Sequence, residues 1–177
     1  MRNELKDFIR SNLDLIDTEN YDEFWHRVYV DAFEVFNDYF DVCTMVEFLL
    51  DCGANPLANI PNVPPGFLCG SKRAEFIIPE WIRRIEYNAF ADMPNLTSMR
   101  FPLAVESIML DAFEYCKNLT YIEFCNPKIR MQINSFIGCH NIKHIKYHGT
   151  KEEWNKYLGE IPFYDCKVEC VDGELLL

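Results

Sequence analysis

Two hydrophobic rhythms divide the chain. Near the N-terminus, Leu5, Phe8, Ile9, Leu13 and Ile16 recur at helical spacing. A polar break at Asp17–Asn20 comes next. Then Phe24, Trp25, Val28, Ala32, Val35, Phe36 and Tyr39/Phe40 form a long apolar stripe close to the 3.6-residue period. Asp22 or a neighbour is placed to cap that helix. Thr44 to Leu50 makes a third short helical run, stopped by Gly53 and Pro56. The pattern predicts a small helical unit over 1–57. Its faces are too large for so short a unit to bury alone, so it is expected to dock on the adjoining part of the chain.

Residues 58–75 carry Pro61, Pro64, Pro65, Gly66 and Gly70. Proline forbids helix there and favours an extended connector. The interspersed Ile60, Val63, Phe67 and Leu68 predict that it is packed down and is no free tether.

From there the rhythm changes to a 23-residue repeat. Phe90, Phe113 and Phe136 share one column, preceded by Ala89, Ala112 and Ser135. Met93, Cys116 and Cys139 share another, as do Asn95, Asn118 and Asn141. Leu96, Leu119 and Ile142 come next, then Met99, Ile122 and Ile145, then Phe101, Phe124 and Tyr147. Ile85, Ile108 and Met131 stand earlier in each unit. The alternation near each unit's end predicts a strand with one face inside, and Phe76 and Ile78 predict a partial strand one period earlier. No unit buries its own apolar column; stacked units do, which is the logic of a solenoid. After the repeats at 76–148, residues 149–177 read as a cap. Thr150 to Glu153 is T-x-x-E, a capping box, and Trp154, Tyr157 and Leu158 come after it against the open end of the stack. Cys166 to Val171 reads as a final strand ended at Asp172–Gly173.

These residues carry a resemblance. The runs IPEWIRRIEYNAFADMPNLTSMRFP and VESIMLDAFEYCKNLTYIEF resemble the BspA-type leucine-rich repeat, and IKYHGTKEEWNKY with the later CKVECVDGE is similar to the way such arrays end. The resemblance spans about 76–173, and the third unit departs from it at Pro127–Lys128 and Met131. Val46 to Asn59, VEFLLDCGANPLAN, is similar to the end of an ankyrin repeat, but no second copy occurs. The expected fold is α+β: a small N-terminal helical unit, then a short leucine-rich-repeat β-solenoid with 23-residue repeats and a helical C-terminal cap.

Composition sharpens this. Of 177 residues, 49% are hydrophobic and 15% aromatic, enough for a packed core and against general disorder. Net charge is −11, which argues against a surface that works by neutralising phosphates, so no direct nucleic-acid binding is expected. The charge is local: residues 1–60 hold 4 Lys/Arg and 13 Asp/Glu, a net of 4 − 13 = −9. No apolar run reaches the roughly 18 residues of a membrane span, and MRNELKDFIRSN carries charges where an export signal needs apolar residues. A cytoplasmic protein without membrane association is expected. Its eight cysteines are then expected as thiols.

Candidate chemistry is sparse. Nucleophile elbows, glycine-rich phosphate loops, HExxH and EF-hand loops are missing, and no CxxC pair occurs. Neither the Cys166/Cys170 spacing nor the His140, His144, His148 series completes a tetrahedral set. No enzyme activity, cofactor or metal is expected. The outward strand positions are Ser98, Tyr121 and His144 in one column and Arg100, Glu123 and Lys146 in the next. They are the first candidate surface for a protein partner. The second is Asp31, Glu34, Asp38 and Asp41, whose 3, 4, 3 spacing gathers carboxylates on one helix face. The expected function is a non-enzymatic protein–protein interaction module using the repeat strand face, the helical unit or both. The alternative is an acidic inhibitor, of the phage or bacterial effector kind, that blocks a nucleic-acid-binding site on a target protein by phosphate mimicry.

Overall fold

The computed structural model describes Ser11, residues 39–51, Gly53, and residues 55–58, 60–161 and 163–177. Apart from Ser11, the expected helical run over 5–16 lies outside the described residues, as do residues 24–38 of the expected stripe over 24–40, Asp31, Glu34 and Asp38 among them.

The described residues wind into stacked coils with two ladders of parallel strands. One ladder is narrow. Its strands β1 (Asn62–Val63), β2 (Arg84–Ile85), β4 (Ser107–Ile108) and β6 (Arg130–Met131) lie in that order, all parallel. The other is the main sheet: β3 (Ser98–Phe101), β5 (Tyr121–Phe124), β7 (His144–Tyr147), β8 (Lys167–Cys170) and β9 (Gly173–Leu176). Parallel pairing runs Ser98↔Tyr121↔His144↔Lys167 and Arg100↔Glu123↔Lys146↔Glu169, so the period of the sequence becomes the register of the sheet. It holds through β8 although a helix intervenes. β9 then folds back antiparallel on β8 and ends the sheet.

Inside the coils the columns stack ring on ring. Phe90, Phe113 and Phe136 lie 5.1 and 4.9 Å apart between successive centroids, with their planes nearly parallel. Phe101 stacks on Phe124 at 5.2 Å and meets Phe113 edge-on. Such pairs contribute about 0.5–1.5 kcal/mol each beyond the area they bury. Polar columns are satisfied coil to coil. The side-chain amides of Asn95, Asn118 and Asn141 donate to the carbonyls of Lys72, Pro94 and Lys117, and the thiols of Cys116 and Cys139 donate to those of Phe90 and Phe113. Each described cysteine is a free thiol.

The turn between the ladders uses left-handed backbone in every coil. Asp92, Tyr115 and Gly138, at equivalent positions of successive repeats, have φ of 56°, 55° and 80°. Gly70 takes the same role one coil earlier at 77°. The proline-bearing stretch is built as a coil too. It supplies β1, and the N–H groups of Gly66, Leu68 and Gly70 donate to the carbonyls of Tyr87, Ala89 and Ala91.

The partial strand expected at Phe76 and Ile78 does not form. Ile78 is buried and Ile77 exposed, so the alternation survives, but residues 76–78 make no ladder. In the paired coils the N–H groups of Cys125 and His148 donate to the carbonyls of Phe101 and Phe124. Pro102 occupies that column one coil earlier and has no N–H to give to Ile78.

Helices sit at the stack's ends. Helix α1, Tyr39–Asp51, buries Val42, Met45, Val46 and Leu49 in the same core cluster as Leu57, Phe67 and Leu68. It runs unbroken through Thr44, where the sequence pattern predicts the start of a separate helix. Glu47 accepts from Ser71 at 2.6 Å and Asp51 pairs with Arg73 at 2.5 Å, tying α1 to the first coil. At the other end, α2 (Lys151–Tyr157) starts in a complete capping box: Thr150 accepts from Glu153 N–H, and the Glu153 carboxylate accepts from Thr150 N–H. Trp154 is fully buried, edge-on to Tyr147 at 5.3 Å.

Candidate partner-binding face

The main sheet presents one face to the core and one outward. Met99, Ile122, Ile145 and Val168 point in, with Phe101, Phe124 and Tyr147 two positions on. The alternate residues of the strands therefore form the outer face. All six residues expected there, Ser98, Arg100, Tyr121, Glu123, His144 and Lys146, stand on it as two cross-strand columns. Lys167 and Glu169 extend both columns by one strand.

The centre of the face is aromatic. Tyr121 and His144 meet edge-to-face with centroids 5.2 Å apart. Around them the charges pair with one another. Glu80 holds Arg100 at 2.7 Å, and Arg100 lies 3.8 Å from Glu123. Glu123 also receives Lys146 at 3.1 Å and His148 at 2.7 Å. On the far side Glu169 lies 3.1 Å from His144 and 3.3 Å from Lys167, and Lys167 reaches Glu174 at 2.7 Å. Three Lys/Arg thus offset four carboxylates along the face, with two imidazoles among them. This surface is nearly charge-compensated, unlike the net of −9 carried by residues 1–60.

Glu123 is the hub. Its side chain is only 16% exposed. Burial works against its ionisation, but hydrogen bonds from His148 and Lys146, with their charges, outweigh that and hold its carboxyl below the usual carboxylate range. Lys146 is correspondingly held above its usual range, first by its hydrogen bond to Glu123.

Two residues beside this surface, the buried Cys125 and the exposed His148, are absent from the expected set. Cys125 and His148 lie in one column, at equivalent positions of successive repeats, and both adjoin Glu123. The period itself carries that signal. The series His140, His144, His148 does not converge: among the described residues only His148 belongs to a mixed donor group. A groove of about 310 Å³ runs beside it between Lys146, His148, Glu169 and Val171. A larger one, about 410 Å³, opens at the last coil between Ile133, Ile137, Phe163 and Tyr164.

Of the acidic-face candidates, Asp31, Glu34 and Asp38 lie outside the described residues, and Asp41 falls in α1.

A family model described as the BspA type leucine-rich repeat region matches residues 63–174 in six copies. The match begins within β1, ahead of the 76 expected from the visible repeats. No curated protein and no solved structure matches the chain.

Proposed function

Because the chain belongs to the BspA-type leucine-rich-repeat family, whose repeats generally mediate protein–protein interaction, we propose that it is a non-enzymatic binding module that takes a protein partner on the outer face of its main sheet. One observation carries this reading. The ladder fixes eight outward side chains in register across four strands, with an aromatic pair at the centre and charged groups around it. A rigid frame lowers the ordering cost of association, and aromatic centres with polar rims are what tight interfaces use. The face brings its own counter-ions, so attraction to the partner is short-ranged and only weakly screened by salt.

Capture from a host lysate, compared between the wild type and a Tyr121→Ala/His144→Ala double variant, tests it. Both side chains point away from the core, so the double variant keeps its melting temperature and loses the captured protein. Unchanged capture by a folded double variant sinks the proposal.

The charge of −9 on residues 1–60 supports a second reading. In it, Asp31, Glu34, Asp38 and Asp41 present carboxylates to a nucleic-acid-binding site on a target protein and inhibit it by phosphate mimicry. Binding of this kind falls steeply with salt. Reversing those four residues to Lys abolishes it and leaves binding through the strand face intact.

A further inference from the structure

We propose that Glu123, Cys125 and His148 form a binding site for one thiophilic divalent metal ion, with zinc(II) the best fit. The carboxylate oxygen, the thiol sulfur and an imidazole nitrogen of the three residues all lie within 4.8 Å of one another. Zinc takes such donors at about 2.0–2.3 Å in a tetrahedron, which sets them about 3.3–3.7 Å apart. The present cluster is close to that size. One edge, 2.7 Å between Glu123 Oε1 and His148 Nε2, is a hydrogen bond that the ion replaces.

The frame is rigid where it has to be. Glu123 and Cys125 are two positions apart, on one side of the chain, and His148 stands opposite Cys125 on the neighbouring coil. Cys125 N–H donates to the Phe101 carbonyl and His148 N–H to that of Phe124, each at 3.0 Å, so both backbones are fixed in the ladder. The side chain of His148 is 40% exposed and free to turn, so it can take up the adjustment of up to about 1 Å between these separations and tetrahedral ones. Three protein donors leave a fourth position that faces solvent, open to water or to a partner's side chain.

The charge balances. A carboxylate and a thiolate carry the two negative charges that offset a divalent ion. Binding takes the proton from Cys125 sulfur and uses the His148 tautomer that carries its N–H on Nδ1 and offers the Nε2 lone pair. The thiol proton goes to solvent, so affinity rises with pH. Two cations work against the ion. Arg100 is 3.8 Å from Glu123 but is engaged by Glu80 at 2.7 Å. Lys146, 3.1 Å from Glu123 Oε1, competes directly for the ligand atom. The thiols of Cys116 and Cys139 are different: they donate to core carbonyls and belong to no such donor group among the described residues.

Titration of the full chain with cobalt(II), then zinc(II), tests the site without reference to any partner. Cobalt is expected to bind at one equivalent with a thiolate-to-metal charge-transfer band in the near ultraviolet, and zinc to displace it. Cys125→Ser removes the band. His148→Ala weakens binding at least tenfold, the scale on which even outer contacts of metal sites act. Lys146→Gln strengthens it severalfold, an effect no fold defect produces. Cys170→Ser, in the next strand, leaves the band unchanged. Circular dichroism checks that each variant is folded. The proposal is overturned if the wild type shows no band at one equivalent. It is equally overturned if the band survives in Cys125→Ser, or if Lys146→Gln weakens binding.

Discussion

Replacing Gly138 by alanine probes the turn column that sets the coil spacing. Gly138 has φ of 80°, and Asp92 and Tyr115 hold the same left-handed conformation in the preceding coils. An L side chain costs roughly 1–2 kcal/mol there. The neighbouring coil adds a second cost. A Cβ on Gly138 would lie 2.3 Å from Cδ1 of Tyr115 and 3.2 Å from its Cα. The Tyr115 ring, 47% exposed, swings aside and forfeits its packing over the glycine; the Cα stays. Together these give an expected loss of about 2–3 kcal/mol, or about 4–12 °C in melting temperature for a chain of this size. Thermal and urea unfolding, followed by circular dichroism, are compared for the wild type, Gly138→Ala, Tyr115→Ala and the double variant. With the ring gone, Gly138→Ala costs only its backbone share, about 1–2 kcal/mol. The two changes therefore couple by about 1 kcal/mol. A loss under about 0.5 kcal/mol, or strict additivity, refutes the assignment of that contact and of the column.

Two further outcomes concern the core and the strand face. Phe113→Ala, in the middle of the stacked column, is expected to lower stability by about 3–5 kcal/mol in urea unfolding. Phe113→Leu keeps most of the volume but loses two stacks, so it costs about 1–2 kcal/mol; equal losses for both contradict the role given to ring stacking. Glu123 has a depressed carboxyl pKa in the folded state. Its contribution is present above the unfolded-state value, about 4.3, and is lost as pH falls through the lower folded value. Stability therefore declines with acid below about pH 4.3, and Glu123→Gln flattens that part of the curve. An unchanged acid limb in the variant contradicts the hub role.

Where the period is strict, the sequence discloses the structure. Columns one repeat apart became the sheet register, and outward side chains of known identity followed from strand alternation alone. Legibility ends where one residue breaks the count. Val63 pairs with Ile85, one position short of a full repeat, so the first coil is slightly shorter and its prolines read as a connector. Its kinship shows in backbone instead: Gly66 and Gly70 hold the left-handed positions that Asn88 and Asp92 hold next. The reverse error occurs at Phe76 and Ile78. Apolar alternation suggests a strand, but a ladder also needs donors from the neighbouring coil, and Pro102 withholds one. β9 has no inward column of its own, only Leu175 packing against the core, so GELLL carries no periodic signal. The donor cluster at Glu123, Cys125 and His148 is hidden for a related reason. Metal motifs are sought at spacings that one helix or one loop brings together. In a solenoid the spacing that brings side chains together is the repeat itself. The chemistry of such a chain has to be read down its columns, and Cys125 above His148 is found only that way.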